Sequence, residues 1–105
     1  MNERIKKIKN FLKENEKDLF LTHALALEFI KIGELPDALS CFEQNRQTDP
    51  NYVATYYHLG KLQELIGKND DAITSYETGM KVAKEQKDQH SYNELQGAYE
   101  DLIDM

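Results

Sequence analysis

Apolar residues recur every three or four positions along most of the chain, with polar residues between them. The first stripe joins Ile5, Ile8, Phe11 and Leu12 within a predicted helix of about residues 2–14. Side chains at this spacing share one face of an α-helix, whereas a strand alternates its side chains between two faces. The same period predicts helices at about 18–32, 36–47 and 52–66. A fifth helix is predicted to begin after residues 69–70 and to end at about residue 86, and a sixth helix to follow the polar stretch 87–89.

Residues that stop or start helices lie between these stripes. Gly33 and Gly67 are expected to close the second and fourth helices in the left-handed conformation, and Pro36 suits the start of the third. Asp18 is expected to cap the second helix, and the pair Asn69-Asp70 the fifth. The connections are short, so consecutive helices are predicted to be antiparallel neighbours in an all-α fold.

The pattern repeats at an offset of 34 residues. A fixed period of this size predicts a stacked array of helix pairs, because one pair cannot bury its apolar face alone. Like residues recur at seven paired positions: Leu25 with Leu59, Ala26 with Gly60, Gly33 with Gly67, Asp37 with Asp71, Ala38 with Ala72, Phe42 with Tyr76 and Glu43 with Glu77.

These positions resemble the signature of the tetratricopeptide repeat (TPR) family, in which small residues and large apolar residues occupy fixed positions on the two helices of each repeat. In the first copy the signature positions hold Thr22, Leu25, Ala26, Phe29, Ala38, Phe42 and Pro50. In the second copy they hold Tyr56, Leu59, Gly60, Gln63, Ala72, Tyr76 and Lys84. The resemblance implies antiparallel helix-turn-helix repeats stacked as a short right-handed α-solenoid of about six helices.

The chain departs from the family pattern at several positions. Thr22 lies where the family has an aromatic residue, Gln63 where it has Tyr, and Lys84 where it has Pro. Asn45 and Gly79 lie where the family prefers Ala, which is expected to loosen the packing toward the next helix. The alternative to a repeat array is a helical bundle with an accidental repeat.

The flanking helices follow the same apolar pattern and are expected to cover the ends of the stack. The pattern Tyr92, Leu95 and Tyr99 repeats the first-helix signature, so the last helix is interpreted as an unpaired first helix. We therefore predict one TPR-like domain over residues 1–105, divided into an N-terminal helix (1–16), repeat 1 (19–52), repeat 2 (53–86) and a C-terminal capping helix (88–105).

The resemblance implies a concave groove, lined by the first helix of each pair, that binds a protein or peptide. An apolar strip beside a few polar groups suits such binding, and Tyr57 is the tyrosine expected to be exposed for it. The alternative for Leu27 and Ile30 is that the first helix covers them as core residues. The predicted groove residues are Phe20, His23, Leu27, Lys31, Tyr57, His58, Lys61 and Glu64, with Ile30, Leu65, His90, Asn93, Gly97 and Glu100 as further candidates.

Some family members bind the carboxylate terminus of chaperones through basic and amide side chains in this groove. The resemblance places His23, Leu27, His58, His90 and Glu94 at the matching positions. Leu27 cannot donate a hydrogen bond and Glu94 repels a carboxylate, so we do not expect chaperone-tail binding. The three histidines are expected to face one surface, either as an anion or metal site or simply as solvated side chains.

Composition narrows the range of partners. The net charge of -6 disfavours nucleic acid, because binding to phosphates depends on Lys and Arg. No apolar run is long enough to span a bilayer, and the first 18 residues lack the apolar core of a signal peptide, so we expect a cytoplasmic protein that binds no membrane. The lone Cys41 agrees with a reducing compartment.

The sequence contains no motif for catalysis. It lacks a glycine-rich phosphate loop, a Cys pair at metal spacing, a His-Glu-x-x-His helix and a Gly-x-Ser-x-Gly elbow. Cys41 precedes Phe42 on a helix and is expected to be a small buried residue rather than a nucleophile. We therefore predict no enzymatic activity, no cofactor and no metal.

The distribution of charge offers an alternative function. Residues 1–13 carry five basic residues against Glu3, and residues 85–105 carry six acidic residues against Lys87. Opposite charges at the two ends favour a structural module that associates head to tail. The alternative is that both helices present solvated charged faces, as in a monomer or a weak homo-oligomer.

Overall fold

The computed structural model describes residues 2–105, and this range is all-α, as predicted. Each helix begins and ends within two residues of its predicted bounds. None of the helices in residues 2–105 combines the length and apolar character needed to cross a membrane. The helices are α1 (Glu3–Glu14), α2 (Leu19–Lys31), α3 (Leu35–Thr48), α4 (Ala54–Leu65), α5 (Asn69–Glu85) and α6 (Gln89–Ile103).

Aspartate side chains cap two of the helices. The Leu21 amide donates to Asp18 Oδ1 over 2.9 Å at the start of α2, as predicted. The Ser91 amide donates to Asp88 Oδ1 over 3.1 Å at the start of α6. This bond and a second one from the Ser91 hydroxyl hold the pKa of Asp88 below its ordinary value. The predicted Asn69-Asp70 cap is wrong, because α5 already begins at Asn69 and its N-cap residue makes no side-chain bond.

Backbone in the left-handed region closes three helices. Gly33 has a φ of 77° after α2 and Gly67 a φ of 82° after α4, as their positions predict. Lys87 has a φ of 59° after α5, where a residue with a side chain is strained. The next amide, that of Asp88, donates to the Ala83 carbonyl over 2.9 Å, which is the bond of a Schellman closure.

The chain divides into two compact units, unit 1, which ends at Tyr52, and unit 2, Val53–Met105. Unit 1 contains α1, α2 and α3, and unit 2 contains α4, α5 and α6. The division falls where the sequence places the boundary between its two repeats. The single domain over residues 1–105 stays a prediction.

In unit 1, α2 packs against α3 and also against α1. Ile5 and Ile8 are the buried residues of α1. The buried Glu28 carboxylate on α2 accepts from Arg4 Nε on α1 over 3.0 Å. This bond adds a polar contact between α1 and α2 to the burial of Ile5 and Ile8.

Asn45 on α3 adds a polar contact within unit 1, and its expected effect on the packing toward the next helix stays a prediction. Its side chain is almost fully buried, and its Nδ2 donates to the Leu19 carbonyl over 2.9 Å. Leu19 is in the first turn of α2, close to the helix start. The amide therefore joins the two helices where an Ala side chain offers only contact.

In unit 2, small residues bring α4, α5 and α6 close together. A Cβ added at Gly60 would lie 2.2 Å from Tyr76 Cε1. One added at Gly79 would lie 2.6 Å from Tyr56 Cβ and 3.0 Å from the Leu95 methyl carbons. The prediction that Gly79 loosens this region is therefore wrong, because the neighbouring side chains fill the space that glycine leaves.

Two polar pairs connect α4 and α5 inside unit 2. The buried Ser75 hydroxyl donates to Gln63 Oε1 over 2.6 Å. The Tyr76 hydroxyl donates to the Glu64 carboxylate. These bonds satisfy polar groups that would otherwise be costly to bury.

Candidate functional site

The predicted site residues of unit 1 lie along α2 and differ in exposure. Phe20 is 70% exposed, which leaves a large apolar ring in solvent. Leu27 and Ile30 are half-buried, so each has both a packed side and an accessible side. Lys31 is exposed, but its Nζ donates to Glu28 Oε2 over 3.2 Å, so a partner that uses Lys31 must compete with this ion pair.

His23 packs among rings rather than standing free on the surface. Its ring is half-buried and meets the ring of Phe42 edge-on at 5.6 Å and that of Tyr52 at 6.3 Å. Phe42 belongs to α3, so His23 contributes to the packing of unit 1 as well as to the α2 surface.

In unit 2, Tyr57, His58 and Lys61 lie together on α4. The Tyr57 ring is half-buried against the core, so its expected exposure is only partial. Lys61 Nζ lies 5.8 Å from the centre of this ring, within the range of a cation–π contact. The His58 ring meets the Tyr57 ring edge-on at 5.4 Å.

Burial governs the charge of His58. It lowers the pKa of the imidazole below 6.5, and the opposing effect of the Glu94 carboxylate is smaller. His58 is therefore a neutral donor and acceptor at neutral pH.

Glu64 is directed toward α5. Its carboxylate accepts from the Tyr76 hydroxyl, and burial together with this acceptor raises the Tyr76 pKa. Glu64 therefore contributes to the α4–α5 contact, and only its half-exposed part is available to a ligand.

A groove of about 270 Å³ lies between α4 and α6 within unit 2; we call it the α4–α6 groove. Tyr57 and His58 form part of its α4 side, and Glu94 part of its α6 side. His90 Nε2 is 3.7 Å from Glu94 Oε2, in an exposed pair on the same helix. The lining residues are Val53, Ala54, Tyr57, His58, Ser91, Glu94 and Leu95.

Sequence reasoning missed part of this lining. It selected Asn93, Gly97 and Glu100 on α6, whereas the groove uses Ser91 and Leu95. The side chain of Asn93 instead accepts from Gln89 in solvent. Leu95, which lies at a repeat-signature position, is a buried core residue and also lines the groove.

A second depression, of about 370 Å³, lies at the turn from α5 to α6. Lys84, the strained Lys87 and the ring of Tyr92 are among its lining residues. No functional residue is predicted from the sequence at this turn. Asp88, which lines it as well, has its side chain engaged with Ser91.

The side chains considered for metal or covalent chemistry do not form a reactive centre. Within residues 2–105, no three His, Cys, Asp or Glu side chains are arranged to hold a metal ion. Burial, with a smaller effect of Asp37, raises the pKa of the Cys41 thiol to about 11. The thiol therefore stays protonated at neutral pH and behaves as a small core residue.

Comparison with known proteins identifies relatives. No protein-family model matches the chain. The Hsp70-Hsp90 organizing protein 3 of Arabidopsis thaliana is 28% identical over 79 residues, which are 75% of this chain but only 14% of that protein.

Solved structures are similar over most of the chain. The TPR2B domain of yeast Sti1, solved as a complex with pHsp70, has a TM-score of 0.88 at 18% identity and aligns over 95% of this chain and 80% of its own. A tetratricopeptide repeat domain protein from Salinibacter ruber has a TM-score of 0.80 at 44% identity, over 84% of this chain and 98% of its own. With helix pairs, a 34-residue period and a relative of this identity, the chain belongs to the tetratricopeptide repeat family.

Proposed function

We propose that this chain is a protein-binding module with no catalytic activity of its own, and that a peptide or a partner's helix binds in the α4–α6 groove. The observation that carries the proposal is the lining of this groove. It combines the apolar Val53, Ala54 and Leu95 with the hydroxyl of Ser91 and the imidazole of His58. Apolar area supplies affinity, and a few polar groups fix the register of the ligand.

The exposed side of α2 is a second contact surface in this proposal. Phe20 contributes accessible apolar area and Leu27 a partly accessible side chain. Exposed aromatic residues of this kind often anchor a partner. The module acts in the cytoplasm and binds neither nucleic acid nor membrane, in keeping with its charge of -6 and its lone Cys41.

Protein binding also agrees with the relatives. The yeast TPR2B domain was solved with pHsp70, and the Arabidopsis relative is named for Hsp70 and Hsp90. The present chain has Glu94 in its groove, so we propose a ligand other than an acidic chaperone tail. Like charges in a groove of this kind disfavour a carboxylate.

The test compares capture of partners from native cell extract by the immobilised protein and by an Ala54→Gln variant. Gln at position 54 fills part of the groove without changing its charge. We avoid Tyr57→Ala because Tyr57 also packs against the core. The matched control is Thr78→Gln, which introduces the same side chain at an exposed position of α5 outside the groove lining.

We expect mass spectrometry to identify proteins that the wild type and the control retain and the groove variant loses. Circular dichroism should give the same helicity for all three. A partner set that the groove variant retains in full would refute binding in the α4–α6 groove.

A second candidate function is head-to-tail self-association through the basic α1 and the acidic α6. Both helices carry a large apolar side chain about half in solvent, Phe11 at 55% and Ile103 at 48%. Exposed apolar area beside opposite charges favours association between copies. Sedimentation velocity over a concentration series at low and high salt tests this, and a monomer under all conditions would exclude it.

A further inference from the structure

The α4–α6 groove has an unbalanced charge. Among its lining residues in the described part of the chain, Glu94 is a carboxylate, and no Lys or Arg is present. The Glu94 side chain is 52% exposed, so it borders the groove and remains accessible from solvent. The lining therefore presents a negative charge to whatever binds.

The neighbouring titratable groups leave this charge available at neutral pH. His58, opposite Glu94 on α4, is kept neutral by burial. His90 approaches Glu94 to 3.7 Å but lies in solvent, where a surface pair is weak. Lys61 on α4 contacts the Tyr57 ring and is not part of the groove lining.

The Tyr57 ring adds a second feature that suits a cation. An aromatic face attracts ammonium groups, and a partner's cation would share this ring with Lys61, whose Nζ lies 5.8 Å from the ring centre. The apolar Val53, Ala54 and Leu95 supply a wall for an aliphatic chain. Lys and Arg side chains have this composition, with an apolar stem and a charged head.

The size of the groove limits what enters it. Its volume of about 270 Å³ is below the range of about 300–1,000 Å³ that holds a drug-sized ligand. A volume of this size takes one long side chain of a bound peptide or helix, while the rest of the ligand stays outside it. The net charge of -6 adds long-range attraction for a basic partner.

We propose that the α4–α6 groove is a specificity pocket for one Lys or Arg side chain of the partner, with Glu94 as its counter-ion and the Tyr57 ring beside its stem. The proposal rests on the proposed function, because it names the chemistry of the ligand at that groove. It reverses the polarity of a carboxylate-binding groove, since the pocket selects a cation.

The test is a ¹H–¹⁵N NMR titration of the intact chain with three probes: Nα-acetyl-lysine N-methylamide, the norleucine analogue and the glutamate analogue. Norleucine keeps an apolar stem and lacks the charge. Probe concentrations reach about 10 mM, since the contacts of a single side chain correspond to millimolar dissociation constants.

We expect the lysine probe to shift the amide signals of Tyr57, Ser91, Glu94 and Leu95. We expect it to bind about two- to fivefold more tightly than norleucine, as for a partly exposed ion pair. The preference should shrink at about 1 M salt, where the Debye length falls to about 3 Å. The glutamate probe should bind most weakly of the three.

Two variants locate the counter-ion. Glu94→Gln should abolish the preference for lysine over norleucine, because it removes the charge and keeps the shape. Glu100→Gln is the control, an equal change at an exposed acid of the same helix outside the groove lining, and should keep the preference. Glu94 is half exposed, so its substitution should leave the fold intact, which circular dichroism checks.

Equal binding of lysine and norleucine by the wild type would overturn this inference, as would a preference that survives Glu94→Gln. Neither result would affect the proposed function, which capture by the Ala54→Gln variant tests independently. Absence of shifts in the groove with the lysine probe at about 10 mM would also overturn the inference.

Discussion

Replacing Gly60 with Ala tests whether the close contact between α4 and Tyr76 holds unit 2 together. An added Cβ would lie 2.2 Å from Tyr76 Cε1 and 2.7 Å from Cδ1 and Cζ. Non-bonded carbon atoms prefer about 3.5–4.0 Å. The ring is fully buried, and its hydroxyl is bound to Glu64, so it cannot move aside without losing that bond.

The magnitude follows from three contributions. Overpacking a close-packed core costs about 1–3 kcal/mol, and this contact belongs at the upper end. Loss of the bond from Tyr76 to Glu64 adds about 1 kcal/mol. Ala gains about 1 kcal/mol over Gly in helix propensity, so the net loss in the free energy of unfolding is about 3 kcal/mol. The melting temperature should fall by about 10–20 °C.

Thermal and urea unfolding followed by circular dichroism measure this loss. Ala26→Gly is the control at the equivalent position 34 residues earlier, and it should cost about 2 kcal/mol, from helix propensity and the loss of a fully buried methyl group. In a Tyr76→Leu background the cost of Gly60→Ala should shrink by more than about 1 kcal/mol. A Gly60→Ala variant as stable as the wild type, or additive with Tyr76→Leu, would refute the reasoning.

Three further predictions concern single residues. Lys87→Gly should stabilise the protein by about 0.5–1 kcal/mol in urea unfolding, because glycine adopts a φ of 59° without strain. Gly67→Ala should destabilise it by about 1 kcal/mol, because alanine is strained at a φ of 82°. A change of the opposite sign in either variant would contradict the argument from backbone strain. NMR titration of His58 should give a pKa below 6.5, and Glu94→Gln should lower this pKa further, because the Glu94 carboxylate favours the protonated imidazole. His58 then contributes stability above pH 6.5, which is lost as the pH falls through 6.5 toward the pKa of His58 in the folded protein. Cys41 should react with iodoacetamide at neutral pH only after denaturation, because burial raises its pKa to about 11, and rapid labelling of the folded protein would contradict this.

The sequence predicted the helices well because their signals are local. Apolar spacing indicated the six helices, and Gly33 and Gly67 indicated where two of them close. The Asn69-Asp70 cap failed because two polar residues in succession suit either a cap or the first helical turn.

Packing between helices was harder to predict, because it depends on which atoms meet. Gly79 reads as a gap in the sequence, yet the structure places Tyr56 and Leu95 against it. Asn45 reads as a polar intrusion, yet the carbonyl that it binds is not visible in any sequence pattern. Small and polar core positions therefore need coordinates before they can be interpreted.

The candidate site was predicted in part. Tyr57 and His58 followed from the repeat register, and both line the groove. Ser91 and Leu95 did not, because α6 was aligned by its aromatic spacing and the position of a helix about its own axis is not fixed by that spacing alone. The resemblance predicts that Glu94 disfavours a carboxylate, and the structure places Glu94 in the groove lining.

The polar pairs between α4 and α5 have a consequence for how the two copies can be recombined. Ser75 donates to Gln63 in unit 2, and the positions 34 residues earlier hold the apolar Cys41 and Phe29. Both positions of this pair are therefore polar in unit 2 and apolar in unit 1. A chimera that joined α2 to α5 would bury the Ser75 hydroxyl without its acceptor, at about 1–3 kcal/mol. The helix hairpin, rather than the single helix, is therefore the interchangeable part of this protein.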